Sequence, residues 1–317
     1  MTGPLVSVGI VTWNSAADVP ACIAAVRAQT HPSVELLVAD NASADDTWAA
    51  VVRIASEDER IRFDRNTGFS AAHNALIDRS RGTYYLALNP DVTLDAGYVS
   101  HLVAAMESDA TVGAATGKLR RAQSNALDST GIVMLRSQRH LDRGADQTDS
   151  GQYERDEDVF GASGAAALYR RAMLEDVRIG REYFDEDFFA YREDADLAWR
   201  AQLLGWRCRY VSRATAAHRR VVTPERRSAL DAAINRYSVR NRFLLRLKNQ
   251  TIGQVARFFA PALWRDFQVV AYVLVREHSS LPGLTDVVRL LPRMLTKRRV
   301  IMARRRATDA DVARWFT

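Results

Sequence analysis

The first 90 residues alternate repeatedly between short apolar runs and segments with the spacing of an amphipathic helix. The apolar runs have strand length: "LVSVGIVTW" (5–13), "VELLVAD" (34–40), "IRFD" (61–64) and "TYYLALN" (83–89). Between them, residues 18–30, 43–56 and 69–80 repeat apolar residues every three to four positions. Such strict alternation predicts an α/β fold with a doubly wound, mostly parallel sheet.

Sequence signals mark the start of two of these helices. Asp18 is a plausible cap for the first, which has Pro20 in its first turn. Ser43 and Asp46 have the spacing of a capping box for the second. We therefore expect both side chains to cap their helices.

Polar residues follow each of the four predicted strands: Thr12-Trp13-Asn14, Asp40-Asn41, Asp64-Arg65-Asn66 and Asn89-Pro90-Asp91. In an open parallel sheet, ligands bind outside the carboxyl ends of the strands, so these groups are candidate ligand-binding residues on one edge. Asn89-Pro90-Asp91 is open to two interpretations at this stage. It is either a simple turn, or a turn that delivers the Asp91 carboxylate to a metal ion.

The alternation breaks after residue 110, and the charge changes after residue 218. Residues 127–159 have the pattern of short strands and a long polar loop, residues 160–174 lead into a helix, and "RCRYV" and "ATAAH" are two further strand candidates. Residues 219–317 hold 21 of the 44 Lys and Arg residues but 7 of the 38 Asp and Glu residues, a balance of +14 against −8 for residues 1–218. This asymmetry indicates a catalytic body followed by a basic module of Arg-rich helices from residue 224.

Two further groups could carry chemistry. The carboxylates of Glu193, Asp194 and Asp196 begin a predicted helix that Gly205 ends, so they either interact with the helix dipole or supply one catalytic base. The aromatic residues before them, Phe188, Phe189 and Tyr191, could stack on a sugar ring. His218 ends "ATAAH" and is either an ordinary surface histidine or a metal ligand beside Asp91.

Several classes of protein do not fit the sequence. No G-x-G-x-x-G follows the first strand, no Walker A sequence occurs, and "FGASGAA" is not G-x-S-x-G, which argues against dinucleotide, P-loop and α/β-hydrolase chemistry. The basic tail has no nucleic-acid recognition motif. The two cysteines, Cys22 and Cys208, are expected to be buried and unpaired. Without a secretory signal or an unbroken run of about 18 apolar residues, the chain is predicted to be cytoplasmic and to have no spanning helix.

The sequence resembles bacterial glycosyltransferases of family 2, which have the GT-A type of fold. The matching pieces occur in family order across residues 5–218: "VSVGIVTWNSAADVPACIAAVRAQ", "VELLVADNASADDT", "NTGFSAAHNALI", "YYLALNPDV", "FDEDFFAYREDADLAWRAQLLGW" and "ATAAH". The stretch "LDSTGIVML…LDRGADQTDSGQY" and the tail "RNRFLLRLKN" are further similar to rhamnosyltransferases that build bacterial polysaccharides and cell-wall linkers.

The resemblance implies an inverting transfer from a nucleotide sugar and a role for each matching residue. Asp194 would be the catalytic base, and Glu193 would help position the acceptor. Asp91 would hold Mg²⁺ or Mn²⁺ on the diphosphate, with His218 as a further ligand. The nucleotide-sugar site would comprise Thr12, Trp13, Asn14, Asp40, Arg65, Asn66, Gly68, Asn89 and Asp91. Asn89 stands where the family's DxD motif has its first Asp, so it is expected to contact only the nucleotide.

The resemblance also implies an organisation and partners. Residues 1–223 would form the catalytic domain, with a nucleotide-sugar-binding half (1–110) and an acceptor-binding half (111–223), and residues 224–317 a basic helical extension. The donor is expected to be dTDP-rhamnose, and the acceptor would be a saccharide or a polyprenyl-diphosphate-linked sugar. The basic helices could pack as a homodimer, bind an anionic membrane surface at the inner face of the cell membrane, or do both. No nucleic-acid partner is expected.

Overall fold

The computed structural model describes residues 3–220 and 232–317, and these contain twelve strands and ten α-helices. The strands are β1 Val6–Thr12, β2 Val34–Asp40, β3 Arg60–Arg62, β4 Tyr84–Leu88, β5 Val92–Leu94, β6 Val112–Arg121, β7 Leu127–Ser129, β8 Ile132–Met134, β9 His140–Asp142, β10 Glu157–Val159, β11 Ala166–Arg170 and β12 Arg207–His218. The helices are α1 Val19–Arg27, α2 Thr47–Ile54, α3 Gly68–Arg79, α4 Tyr98–Glu107, α5 Arg171–Val177, α6 Glu193–Leu203, α7 Ala232–Asn249, α8 Ile252–Val275, α9 Leu281–Arg304 and α10 Asp309–Ala313.

One large sheet organises the first two thirds of the chain. Its strand order is β10-β12-β6-β11-β4-β1-β2-β3, and β3, β2, β1 and β4 are parallel to one another. β11 lies antiparallel between β4 and β6, whereas β12 runs parallel to β6. The mostly parallel α/β sheet predicted from the sequence is therefore confirmed, and its first four strands lie at the predicted positions.

Helices cover both faces of this sheet because its central strands are buried on both sides. On one face, Val8 and Leu86 pack with the apolar sides of α1 and α4. On the other face, Leu37 and Ala87 pack with residues of α3, α5 and α6, among them Leu76. The near-continuous apolar runs of β1, β2 and β4 follow from burial on both faces.

The second half contains strands that the sequence pattern did not reveal. β5, β6 and β11 lie outside the predicted elements, although β6 and β11 are central strands. "RCRYV" and "ATAAH", predicted as two strands, are one strand, β12, with a register shift between Val211 and Thr215. The expected short strands and polar loop of residues 127–159 are present as β7 to β10.

Neither predicted cap makes the expected side-chain hydrogen bond, although Asp18 does occupy the N-cap position of α1. Asp46, not Ser43, precedes α2, and its side chain makes no capping hydrogen bond. Ser43 instead donates its hydroxyl to Asp40. Asp18 also makes no side-chain cap on α1, and its carboxylate pairs with Arg219, so both side chains are used for tertiary contacts.

The C-terminal helices are joined to the body by buried ion pairs. The carboxylate of Asp185 is paired with Lys248 of α7 and, at 2.5 Å, with Lys297 of α9. Lys248 also lies 2.7 Å from Asp196 of α6, which in turn pairs with Arg200 at 3.0 Å. The two lysines hold the pKa of Asp185 far below its usual value and more than offset the effect of its burial. Because these charges are buried, each depends on its partners.

An apolar cluster reinforces this junction. Leu244 and Leu245 of α7 and Phe258 of α8 pack with Trp199 and Leu203 of α6. The predicted boundary at residue 223 lies outside the described residues, and the division into residues 1–223 and 224–317 remains a prediction. In the described residues, the C-terminal helices share a core with the helix that begins at Glu193.

Helix α8 is long and apolar enough to cross a membrane, judged by length and composition. Only 17% of the 18-residue stretch that meets this test is buried inside the protein. By this criterion α8 is a candidate span that the sequence analysis did not single out, because Arg257, Arg265 and Asp266 interrupt its apolar run. The expectation that the chain has no spanning helix stays a prediction.

The substitution Asp185→Asn tests the junction. We expect it to lower the free energy of unfolding by about 3–5 kcal/mol, because it leaves Lys248 and Lys297 buried beside a neutral amide. The matched control is Glu175→Gln, which removes an exposed pair with Arg178 and should cost about 1 kcal/mol or less. Urea unfolding followed by circular dichroism measures both, and equal losses would contradict the proposed importance of the buried pairs.

Candidate active site

The carboxyl ends of β1, β2, β3 and β4 meet at one edge of the sheet. Thr12 is the register partner of Asp40, and Asp40 is the partner of Arg62. β4 pairs with the other side of β1 and ends one residue before Asn89. The structure thus brings the predicted nucleotide-sugar residues of all four strand ends together, as expected for a parallel sheet.

Asp40 fixes the loops at this edge. Its fully buried carboxylate accepts hydrogen bonds from the hydroxyls of Thr12 (3.1 Å) and Ser43 (2.5 Å) and pairs with Arg62 at 3.2 Å. Ser43 in turn accepts from the backbone N–H of Asn14, whose side chain accepts from Ala44. Asp40 was expected to belong to the nucleotide-sugar site, and in the structure its carboxylate holds the loops after β1 and β2 together.

Trp13 projects from the β1 loop that Asp40 holds in place. Its side chain is 53% exposed, whereas Thr12 before it is fully buried. The neighbouring Asn14 has φ of +50°, a left-handed conformation that asparagine tolerates better than most residues. A large aromatic ring is therefore presented to solvent at the carboxyl edge of the sheet.

The loop before α3 forms the next wall of the edge. Asn41 accepts from the backbone N–H of Thr67 at 2.8 Å and donates to the carbonyl of Gly68, while Asn66 accepts from the N–H of Gly68. Gly68 has φ of +84°, and a Cβ there would lie 2.4 Å from the carbonyl oxygen of Phe189. Glycine is required at this position by both conformation and space. Arg65, in the same loop, is solvent-exposed.

Asn89-Pro90-Asp91 is indeed a turn. The N–H of Val92 donates to the carbonyl of Asn89 at 3.2 Å, which places Pro90 and Asp91 at the two central positions. Val92 of β5 is the register partner of His218 at the end of β12. This pairing brings Oδ1 of Asp91 to 3.2 Å from Nε2 of His218, so both interpretations of the sequence motif are compatible.

His218 lies between two carboxylates. Its Nδ1 is 2.6 Å from Oδ2 of Asp128 in β7, on the side opposite Asp91. Burial lowers the pKa of His218, but hydrogen bonds and charges of Asp128 and Asp91 outweigh burial and raise the pKa to about 9. Burial raises the pKa of Asp91, and its contact with His218 more than compensates, so this carboxylate is ionised.

The donor set of Asp91 and His218 fits a divalent cation that binds as Nε2 of His218 releases its proton. A carboxylate on Nδ1 orients a histidine and makes Nε2 a better ligand, which is the relation of Asp128 to His218. Among residues 3–220 and 232–317, no group of three or more His, Cys, Asp or Glu side chains forms a ready-made metal site. Asp91 and His218 would therefore supply two ligands, leaving the others to diphosphate oxygens and water, as Mg²⁺ sites commonly do.

Asp194 lies in the first turn of α6 and is held by backbone groups. Its Oδ2 accepts from the N–H of Gly164 at 3.0 Å, and its Oδ1 accepts from the N–H of Ala195. Burial raises the pKa of Asp194 above its usual value, against the hydrogen bond from Gly164, and the negative charge of Asp142 adds to the rise. A carboxylate with a raised pKa is a stronger proton acceptor than an ordinary one.

Glu193 differs from its neighbour. Its side chain is buried, and no described residue makes a hydrogen bond to Oε2. Burial, followed by the charge of Asp194, raises the pKa of Glu193 well above its usual value. The protonated form is thus favoured, which suits a hydrogen-bond donor. Asp196, the third carboxylate of the group, pairs with Lys248 and Arg200 and has a structural role.

A short segment links the turn at Asp91 to Asp194. The carbonyl of Ala165 accepts from the backbone N–H of Asn89 at 2.9 Å, while the adjacent Gly164 donates to Asp194. The turn that carries the predicted metal ligand and the predicted base are therefore connected through residues 164–165. This link was not visible in the sequence, where the segment is only a run of small residues.

The aromatic residues before α6 divide into two groups. Phe188 is fully buried and lies against Lys248, so its ring cannot stack on a sugar as expected. Phe189 and Tyr191 are partly exposed, and Phe189 stacks on Tyr237 of α7 at 4.8 Å.

Sequence reasoning missed three charged residues near the site. Arg220 bridges Asp128 at 2.9 Å and Asp142 at 3.0 Å, and Asp128 also holds His218. Asp128 and Asp142 follow the same apolar-polar pattern as ordinary short strands, so their sequence gives no functional signal. For Arg220, the one sequence signal that could have indicated a role at the site is its position two residues after His218.

The sequence model of "Glycosyl transferase family 2" matches residues 7–178, which is more than half of the chain. The chain belongs to glycosyl transferase family 2. The family predicted from sequence motifs is therefore confirmed, whereas the likeness to rhamnosyltransferases stays a prediction. The matched region includes Asp40, Asn89 and Asp91 and ends before Asp194 and His218.

Solved structures of low sequence identity share this family member's fold. TarS 1–349 from S. aureus, in complex with UDP-GlcNAc, matches with a TM-score of 0.59 over 94% of this chain and 89% of that chain, at 14% identity. The mannosyltransferase PcManGT from Pyrobaculum calidifontis, in complex with GDP-Man and Mn²⁺, matches with a TM-score of 0.52 over 95% of this chain and 87% of that chain, at 17% identity. The predicted GT-A type of fold with a C-terminal helical region is confirmed.

Sequence relatives match over shorter regions. The Escherichia coli protein UDP-Glc:alpha-D-GlcNAc-diphosphoundecaprenol beta-1,3-glucosyltransferase WfaP is 28% identical over 108 residues, 33% of this chain and 42% of WfaP. The chain spans between 11% and 56% of the length of the first curated relatives that it matches.

The substitution Asp128→Asn tests the orientation of His218. We expect Mn²⁺ affinity, measured by titration calorimetry in the presence of a nucleoside diphosphate, to fall about 10- to 100-fold, because Nδ1 loses its carboxylate. The control is Asp146→Asn, which changes an exposed partner of Arg121 and should leave the affinity unchanged. The thermal midpoint without metal reports whether each variant is folded, and unchanged Mn²⁺ binding by a folded Asp128→Asn protein would contradict the proposed role.

Proposed function

We propose that this protein is an inverting, divalent-metal-dependent glycosyltransferase that moves a sugar from a nucleotide-sugar donor to an acceptor hydroxyl. The observation that carries the proposal is the link through residues 164–165. It ties the turn at Asp91, beside His218, to Asp194. A candidate site for the donor diphosphate and a candidate base thus lie on one edge of a GT-A type sheet.

Inversion needs one base, and Asp194 is suited to that role. The acceptor hydroxyl would lose its proton to Asp194 as its oxygen bonds to the anomeric carbon and the bond to the nucleoside diphosphate breaks. The N–H groups of Gly164 and Ala195 orient this carboxylate. Glu193, held neutral by burial, would donate a hydrogen bond that positions the acceptor.

Asp91 and His218 would hold Mg²⁺ or Mn²⁺ against the donor diphosphate. A bound divalent cation would stabilise the charge that develops on the leaving diphosphate. Asp128 and Arg220 keep His218 in place from behind. Asn89, with its neutral side chain, would contact the nucleotide only.

The loops at the carboxyl edge would bind the nucleotide. Trp13 presents an exposed ring on which a base could stack, and Thr12, Asn14 and Asp40 set the position of that loop. Arg65, Asn66 and Gly68 would border the base and phosphates. Arg65 is exposed and positively charged, which suits contact with a phosphate.

For the donor we propose L-rhamnose from dTDP-rhamnose, on the strength of the motifs shared with rhamnosyltransferases. The acceptor would be a saccharide or a polyprenyl-diphosphate-linked sugar in cell-wall or surface polysaccharide synthesis, on the cytoplasmic side. The relative WfaP, named as a glucosyltransferase acting on a diphosphoundecaprenol-linked sugar, supports this class of acceptor. The alternatives are another UDP-, GDP- or dTDP-sugar, or a non-catalytic scaffold that binds a nucleotide sugar. The arrangement of Asp91, Asp194 and His218 favours an enzyme over a scaffold.

A thermal-shift screen of dTDP-, UDP- and GDP-sugars, with and without Mn²⁺, tests the proposal. We expect one nucleotide to raise the melting temperature more when Mn²⁺ is present, because the metal joins the diphosphate to Asp91 and His218. The largest shift with dTDP-rhamnose would support the rhamnosyl donor, and a larger shift with a UDP- or GDP-sugar would overturn it. If no nucleotide sugar stabilises the protein with metal, the enzyme proposal fails.

The substitution Asp194→Asn tests the base. We expect kcat for transfer to fall by about 10²- to 10⁴-fold or more, because the amide cannot accept the acceptor proton. Donor binding, measured by the same thermal shift, should be nearly unchanged. The matched control is Asp58→Asn, an exposed carboxylate in the turn before β3, which should retain full activity. Retained turnover by the Asp194→Asn protein would exclude this residue as the base.

A further inference from the structure

The outward side of α8 is a continuous apolar surface. Its large exposed side chains recur at helical spacing: Ile252, Val255, Phe259, Leu263, Trp264, Phe267, Leu274 and Val275. Trp264 and Phe267 are each 62% exposed, and their rings stack with centroids 5.7 Å apart. Soluble monomers rarely expose so many large apolar residues together, so this surface is expected to have a partner. We call these eight residues the α8 apolar face.

The opposite side of α8 is fixed to the protein. Phe258 stacks on Phe316 with ring centroids 5.1 Å apart, and Ala262 and Val273 are buried on the same side. Asp266 accepts hydrogen bonds from Arg242 and Arg246 of α7. These contacts set the rotation of the helix, so the α8 apolar face cannot turn inward without breaking them.

The charge around this face is positive. Within α8, all of which the structure describes, Asp266 is the one acidic residue, and it is turned inward against α7. Arg257 is exposed on the helix, Arg265 is partly exposed, and Arg276 follows its last residue. A second copy of this chain would bring the same cations and no outward carboxylate of α8 to pair with them. Anionic phospholipid headgroups complement an apolar face with such a rim.

We propose that α8 docks this protein onto an anionic lipid bilayer, lying in the plane of the surface with the α8 apolar face between headgroups and acyl chains. Trp, Phe and Leu on the buried side and arginines at the edges are the composition of an interfacial helix. With 24 residues, α8 would be long enough to cross a bilayer if it were straight, but it is kinked at Phe258, whose backbone is not helical, and it contains Pro261. Crossing would expose Asp266 and Arg265 to hydrocarbon and remove Phe258 from Phe316, so an in-plane position is favoured.

Docking at α8 would also place the candidate base close to the membrane. Arg242, which holds Asp266, is next to Asn241 in α7. Asn241 donates hydrogen bonds to the carbonyls of Phe188, Ala190 and Tyr191, in the segment that leads to Asp194. An acceptor anchored in the bilayer would thus approach the base from its membrane side. This last step rests on the proposed function, whereas lipid binding by α8 does not.

Vesicle flotation with the full-length protein tests the proposal. We expect binding to vesicles of phosphatidylcholine mixed equally with phosphatidylglycerol, and at least about tenfold weaker binding to phosphatidylcholine alone. The double substitution Trp264→Gln and Phe267→Gln should weaken binding to the mixed vesicles by more than about tenfold. The control Val52→Ser changes an exposed apolar residue on α2 and should bind as the unmodified protein does.

Each other outcome overturns the proposal. Unchanged binding by the double variant would exclude the α8 apolar face as the lipid-binding surface. Equal binding to both vesicle types would exclude an attraction between the arginines and anionic headgroups. A concentration-dependent dimer in sedimentation velocity that the double variant abolishes, without vesicle binding, would assign the face to a second copy of the chain. The donor thermal shift is measured on the same samples, so failure of lipid binding is separated from failure of the proposed enzyme activity.

Discussion

Lys248 of α7 holds two buried carboxylates, Asp185 and Asp196, that lie on either side of Asp194 in the chain. A buried charge without a partner costs several kcal/mol, so α7 stabilises the observed conformation of residues 186–195. Lys297 of α9 adds a second cation to Asp185. The basic composition of the C-terminal helices therefore has a structural cause close to the candidate site: some of their cations neutralise acids that are buried around the start of α6.

The sequence predicts the first half of the fold well and the second half poorly, for physical reasons. β1, β2 and β4 are buried on both faces, so their composition alone marks them as strands. β6 and β11 are equally central, yet "VGAATGKLRR" and "AALYR" contain small or charged residues in place of a clear period. Their strand conformation depends on neighbours distant in the chain, and local propensity does not encode that.

The candidate site shows the same division. Strand-end position suggested Asp91 and His218, and the structure brings them together through the pairing of β5 with β12. Asp128 escaped notice because it lies 90 residues from His218 and only the fold makes them neighbours. For the tail, charge counts drew attention to the arginines, whereas Arg242, Arg246 and Lys248 are paired internally. The distinctive exposed feature of the tail is instead the α8 apolar face. The sequence pattern did not reveal this face, because the ionic residues of α8 interrupt the apolar run.

The close approach of Gly68 to Phe189 has a consequence for dissecting this protein into parts. Phe189 touches the loop at Gly68 and stacks on Tyr237 of α7, so one ring connects the start of α3 with α7. A minimal fragment that stops where the family match ends, at residue 178, would lack Phe189, Asp194 and His218. A longer one that omits α7 would leave the Phe189 ring without its stacking partner and Asp185 without Lys248. The smallest unit worth expressing for ligand studies therefore extends through the C-terminal helices.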